Sequence, residues 1–324
     1  MKTIVKYALV TLLAACIVFP TGAVFAASSG SSDGSAQVGN TAATVINLGF
    51  YDSADSVDQN NTSIDVWTEY HVNCTVTDDN TLNDLENVTY IIWEETYADE
   101  GSADSNVNHY TFRYVNDTDA WEEVGPDAAG DSHLVSGNCS DPADHAATSG
   151  TFKLAFKLHK TANYTALTTA WKIKIIAYDS DTSGSNQQLF FDVNFFVELT
   201  VDDSSHAWSS LNPGDTDVLI DTPADGKIDV TATANAEFDL QAKGSGDLTK
   251  TGGGTPIGLG NVTIHKDTQG SSVSLTESYA DIGGLTGLSS GESQAHSLKL
   301  WIDVPLGIEH GTYTYSLDIQ GVKA

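Results

Sequence analysis

Leu189 to Val201 reads LFFDVNFFVELTV. Leu189, Phe191, Val193, Phe195, Val197, Leu199 and Val201 fall on every second position, opposite Asp192, Asn194 and Glu198. A period of two sends successive side chains to opposite faces of an extended strand, one dry and one wet. The alternation recurs in both directions. Across 63–76, Ile64, Val66, Tyr70, Val72, Cys74 and Val76 share a face against Asp65, Trp67, Glu69, His71, Asn73 and Thr75. Phe152, Leu154, Phe156 and Leu158 alternate with Lys153, Ala155, Lys157 and His159. Ile228, Val230, Ala232, Ala234, Ala236, Phe238, Leu240 and Ala242 predict one long strand, bent midway. Leu298, Leu300, Ile302 and Val304, then Tyr313, Tyr315, Leu317 and Ile319, continue the pattern. No stretch past the N-terminal segment sustains helical spacing. The predicted class is all-β: two tandem immunoglobulin-like antiparallel sandwiches.

The boundaries come from composition. Residues 1–26 read as a signal peptide: Lys2 and Lys6, an apolar run from Ala8 to Pro20, then Val24-Phe25-Ala26 before cleavage at Ala27. Leu13-Ala14-Ala15-Cys16 also resembles a lipoprotein box, but Ile17-Val18-Phe19 continues the apolar core beyond it. Residues 27–40 are a flexible small-residue leader, 41–203 an acidic sandwich with insertions, 204–217 a turn-rich linker, and 218–324 the second sandwich. The leader and Thr41 to Tyr51 are expected to be available for donation as a strand to a neighbouring copy. Lys153, Lys157, Lys172 and Lys174 are expected on one hairpin, as a basic stripe.

The chain carries 44 acidic and 14 basic residues, a net charge of −30. Two of those bases lie in the signal, so the exported chain has 12 against 44, a net of −32. Such a field disfavours nucleic acid and anionic membranes and suits a cation-rich exterior. A secreted, extracellular location with no transmembrane span in the mature chain is the expectation.

Ala234-Asn235-Ala236-Glu237-Phe238, Trp301-Ile302-Asp303-Val304-Pro305 and Gly311-Thr312-Tyr313-Thr314 resemble immunoglobulin-like modules of secreted archaeal and bacterial surface proteins. The larger N-terminal portion is similar to extracellular archaeal sandwiches through Val76-Thr77-Asp78-Asp79, Val88-Thr89-Tyr90-Ile91-Ile92-Trp93 and Trp171 to Asp179. The resemblance implies a cell-surface, sheath, filament or adhesive role and carries over no catalytic residue.

The remaining signals are local. Cys74 and Cys139 are expected to pair as a disulfide outside the cell, the alternative being two buried thiols. Sequons stand at Asn60, Asn61, Asn73, Asn87, Asn116, Asn138, Asn163 and Asn261, which predicts a glycoprotein. Alternation turns Trp67, Trp301, Phe190 and Phe196 outward, where rings stack on sugars or fill subunit interfaces. Calcium is the candidate cofactor, structural in role. Asp179 and Asp181 begin one imperfect loop and Asp221, Asp225 and Asp229 another, with Asp78, Asp79 and Asp84 a third acidic turn; each also reads as a solvated loop. Gly287-Leu288-Ser289-Ser290-Gly291 has the nucleophile-elbow spacing without its strand-to-helix setting, and the histidines lack zinc-ligand spacing. The expected function is therefore non-enzymatic: a structural or adhesive surface component contacting itself, other surface proteins or glycans. The alternative is an extracellular carbohydrate-binding module.

Overall fold

In the computed structural model the chain divides into two units, Met1–Gly39 and Asn40–Ala324. The described residues are 35–96, 105, 107–124, 132–166, 170–179, 183–203 and 205–324, without the side chains of 187 and 188. The signal 1–26, residues 27–34 and Asp181 thus lie outside them. Residues 35–39 are exposed and carry no regular structure.

The described residues contain no α-helix, only strands and three-residue 3-10 turns. Nine strands build a first core: β1 (Thr44–Asp52), β2 (Thr62–Ile64), β3 (Glu69–Thr77), β4 (Leu85–Glu94), β5 (His109–Val115), β6 (Ala120–Val124), β7 (Ser149–Lys157), β8 (Trp171–Asp179) and β9 (Ser183–Val193). They form a sheet in the order β1-β3-β7 and another in the order β2-β9-β8-β4-β5-β6, with β2 parallel to β9 and the other pairs antiparallel. Inward-pointing aromatics join the two layers. Phe50 on β1 lies 5.3 Å from Phe191 on β9, and Phe112 on β5 lies 6.0 Å from Phe156 on β7. Each such ring, fully buried, contributes about 1.5–3 kcal/mol of apolar transfer.

A second core lies among β10 (Val197–Val201), β11 (Val218–Leu219), β12 (Ile228–Ala234), β13 (Phe238–Gly244), β14 (Thr249–Lys250), β15 (Val262–His265), β16 (Val273–Ser274), β17 (Ala280–Asp281), β18 (Gly291–Ile302), β19 (Tyr313–Thr314) and β20 (Leu317–Lys323). The main sheet runs β10-β12-β18-β15-β16, with β11 also on β18; the others are β17-β13-β20 and β14-β19.

Several local expectations are corrected. The strand expected over Leu189–Val201 is two, β9 facing the first core and β10 the second, separated by Asn194–Phe196. Phe195 packs on the second core and Phe196 on the first, so the same alternation that marks a strand here splits a segment between two bodies. Buried Asn235 fixes the split: its Nδ2 donates to Asn194 O at 2.8 Å, and its Oδ1 accepts from Phe196 N at 2.8 Å. The changeover thus precedes the expected 204–217 linker, within which Trp208 and Leu211 pack against the second core. Ile228–Ala242 is likewise two strands, turning at 235–237 so that β12 and β13 enter different sheets.

Ser63–Val76 breaks at 65–68, where Trp67 adopts a left-handed φ of 56°. β1 pairs with β3 of its own chain and buries Val45 and Phe50, so it is a core strand rather than one held for a neighbour. The lysine hairpin is absent: Lys153 and Lys157 lie on β7, whereas Lys172 and Lys174 lie on β8 in the facing sheet.

Candidate functional site

A concavity of about 290 Å³ opens where the first body meets the second, with Trp67, His159 and Lys160 on one side and Glu198, Thr231 and Glu292 among the residues opposite. Trp67 reaches it because the chain break before β3 turns its backbone, whose N–H donates to Leu158 O at 2.8 Å. Lys157 Nζ stands 3.4 Å from the centroid of the Trp67 ring, a cation–π contact that fixes its plane. The His159 ring meets it edge-on at 6.2 Å. His159 Nδ1 accepts from Thr161 N at 3.2 Å, which assigns the ring proton to Nε2, facing Glu292 Oε2 at 4.0 Å. Lys160 pairs with Glu198 at 2.5 Å. Hydroxyls from Thr200, Thr231, Thr233 and Ser293 complete the lining. The wall therefore offers one aromatic flank and an array of donors and acceptors, a chemistry suited to a polyhydroxylated ligand.

Behind His159 lies a buried acid–base pair. The His133 ring packs edge-on to His159 at 5.6 Å, and His133 Nδ1–H donates to Glu123 Oε1 at 2.6 Å. Glu123 Oε2 also accepts from His133 N at 2.9 Å and Leu134 N at 3.3 Å. Burial pushes the Glu123 carboxyl up, but the hydrogen bonds and charge of His133 outweigh it and hold the group below its ordinary value. A lowered folded-state pKa stabilises above the unfolded value, 4.5, and that stability is lost as pH falls through the folded value. Glu123→Gln should therefore be less stable at pH 7 and show a shallower loss of stability below pH 4.5 than the parent, measured by denaturant unfolding across pH 7 to 3.

Of the four aromatics expected to face outward, only Trp67 lines this cavity. Trp301 is a correction: it is 7% exposed, because β18 is flanked there by Leu219 of β11 and Thr263 of β15. Phe190 is half-buried beside the 60–61 turn, where its N–H donates to Asn60 Oδ1 at 3.0 Å. Phe196 is half-buried on the first core.

The disulfide is also corrected, since Cys74 and Cys139 are free. Cys74 points into the core, its Sγ 3.3 Å from the Tyr90 hydroxyl; Cys139 Sγ sits beside β7 and accepts from Ala155 N at 3.2 Å. Burial pushes the Cys74 thiol up to about 12 and that of Cys139 to about 11.

Among the sequons, Asn61 and Asn138 are exposed, and Asn60, Asn73, Asn87, Asn163 and Asn261 are half-buried. Asn116 is turned inward: its Nδ2, the atom a sugar would occupy, donates to Leu85 O at 2.9 Å and Leu82 O at 3.4 Å. In the second acidic loop, Lys227 Nζ lies between Asp225 (3.5 Å) and Asp229 (2.8 Å), while Asp221 accepts from Ser209 Oγ at 2.8 Å. Asp179 is buried at the end of β8. His159, Lys160, Glu198 and Glu292 were not selected by sequence reasoning as site residues. The basic run Lys157-Leu158-His159-Lys160 is the one local feature that could have pointed to it, but nothing local couples it to residues 198 and 292.

No family model and no curated protein matches the chain. Among solved structures, the C-terminal domain of the AgI/II polypeptide BspA from Streptococcus agalactiae aligns over 86% of this chain and 95% of its own, at 12% identity and a TM-score of 0.25. A mutant form of the BspA C domain aligns over 86% and 94%, at 10% identity and a TM-score of 0.25. At that degree of overlap the likeness carries no argument about function. No helix among the described residues is long and apolar enough to cross a membrane.

Proposed function

We propose that the chain is an exported, non-enzymatic structural or adhesive component of a cell surface, acting by contact with further copies, other surface proteins or glycans. The observation that carries this reading is the joint between the two cores. A three-residue crossing is hydrogen-bonded on both sides of Asn235, and Lys160–Glu198 and His159–Glu292 bridge the same seam. A surface component that transmits tension gains from a connection held in one geometry. Asn61 is the acceptor most open to glycan attachment; Asn138 is exposed too, but its Nδ2 donates to Glu69 Oε1 at 2.7 Å. Immunogold electron microscopy of native cells should place label on a sheath, filament or surface layer. Label confined to the cytoplasm, or a turnover abolished by one acidic or serine substitution, would overturn the proposal.

The seam cavity favours a second reading, glycan binding beside Trp67. Polysaccharide pull-down and a glycan array should then detect a saturable ligand whose affinity falls about tenfold in Trp67→Ala, the scale of one lost aromatic stack. Buried Trp301 supplies the control, since Trp301→Phe leaves that cavity intact. Equal binding by Trp67→Ala, or no polysaccharide bound at all, would confine contact to protein surfaces.

A further inference from the structure

The acidic turn after β3 and the end of β8, far apart in sequence and on facing sheets, meet through a shared polar network. Asp78 is 2% exposed and Asp179 4%. Asp78 Oδ1 accepts from Asn80 N at 2.7 Å; Asp179 Oδ1 accepts from Asn40 Nδ2 at 2.7 Å. The Oδ1 atoms of Asn80 and Asn40 both accept from one main-chain amide, Thr41 N, at 2.9 and 3.0 Å. Two buried carboxylates and two carboxamides therefore belong to one network. Thr81 stands in the same turn with φ 104°, a conformation costly for a β-branched residue.

One atom in this network is unexplained. Asp78 Oδ2 is buried and has no hydrogen-bond partner. A buried carboxylate oxygen without a donor is expensive, and a second acid beside it raises the cost. Burial pushes the Asp78 carboxyl up first, and Asp179, Asp84 and Asp79 push it further, with only the Asn80 amide opposing. No ion pair to Asp78 occurs among the described residues, in contrast to Asp225 and Asp229, which hold Lys227. A proton, a cation or a bound water would satisfy it, and a cation alone would also offset the second carboxylate beside it.

We propose that Asp78 and Asp179 hold a calcium ion, with amide oxygens of the same network and water completing its shell. No three His, Cys, Asp or Glu side chains converge among the described residues, so the site rests on two carboxylates rather than an acidic cage. Calcium accepts carboxylate, carboxamide, main-chain carbonyl and water oxygens in flexible geometry, whereas magnesium demands a near-ideal octahedron. The ion would staple the β1-β3-β7 sheet to the facing sheet at the edge of the first core. Acid-poor extracellular calcium modules bind in the 10⁻⁴–10⁻³ M range, and two carboxylates suit that weak end.

Thermal unfolding of the full exported chain tests this, together with calorimetric titration of calcium chloride. In 10 mM calcium the Tm should rise by about 3–8 °C over protein stripped with EDTA, and magnesium or sodium chloride at matched ionic strength should reproduce little of that rise. Asp78→Asn and Asp179→Asn should each abolish the calcium increment, and Asp78→Asn should match or exceed the parent in EDTA, because it removes a buried charge. Asp225→Asn should retain the increment. No calcium heat, an equal rise with magnesium, or a calcium increment surviving in both Asp variants would overturn the site.

Discussion

Removal of residues 41–52 should unfold the first body rather than release a folded monomer. β1 contributes Val45 and Phe50 to the core, the latter fully buried, and Ala43 just before it is buried as well. Phe50 lies 5.8 Å from Tyr70, 6.2 Å from Phe156 and 5.3 Å from Phe191, at the centre of the aromatic layer. Losing such a ring alone costs about 3–5 kcal/mol. Removing the strand also strips the partners of β3 from Thr77 to Tyr70. The sum is comparable with the whole stability of a domain, about 5–15 kcal/mol. The truncated chain should lose its near-ultraviolet circular dichroism and bind a hydrophobic dye, and a synthetic peptide spanning 41–52 should restore the signal by occupying the vacated edge. A truncated chain that stays folded and monomeric without peptide would show that β1 is dispensable.

Asn235→Leu should have the next largest effect, about 2–5 kcal/mol. The substitution keeps the branched heavy-atom skeleton but orphans two main-chain groups, Phe196 N–H and Asn194 C=O, each worth about 1–3 kcal/mol when buried unpaired. Because Phe195 and Phe196 pack on opposite cores, freeing the joint should also uncouple them. Calorimetry should resolve two transitions in the variant or a broadened one, since coupling through an interface is what merges two bodies into one unfolding event. A variant that melts like the parent, with the same width, would mean that Asn235 is not what holds the joint.

Much of the strand content was legible along the chain. Phe152 to Lys157 is a strand as read, with Phe152, Leu154 and Phe156 inside, although Ala155, expected on the other face, is buried too. Trp171 to Asp179, quoted for its resemblance to surface modules, is strand β8 from end to end. The errors share a cause. Alternation reports which side of a strand is dry, not where the strand ends or which sheet it joins. LFFDVNFFVELTV keeps its rhythm through Asn194–Phe196, although the dry face changes bodies there. The break at Trp67 carries neither glycine nor proline; Trp67 N–H donates to Leu158 O from across the fold, and Asp65 N–H to the nearby Tyr70 hydroxyl. The lysine hairpin failed because β7 and β8 follow one another in sequence yet enter facing sheets.

The candidate site was less legible. Trp67 was marked by its outward position, but Trp301, placed outward by the same rule, is covered by strands whose arrival no local pattern announces. The acidic balance and the two-residue rhythm were set by the chain alone, because charge and amphipathicity are properties of neighbours in sequence. Tertiary structure alone decided that Trp67 and Glu292 line one cavity, that Cys74 faces Tyr90 rather than Cys139, and that Asp78 shares a network with Asp179. Those meetings join residues brought together only when whole sheets pack, and burial then sets what each group costs or contributes.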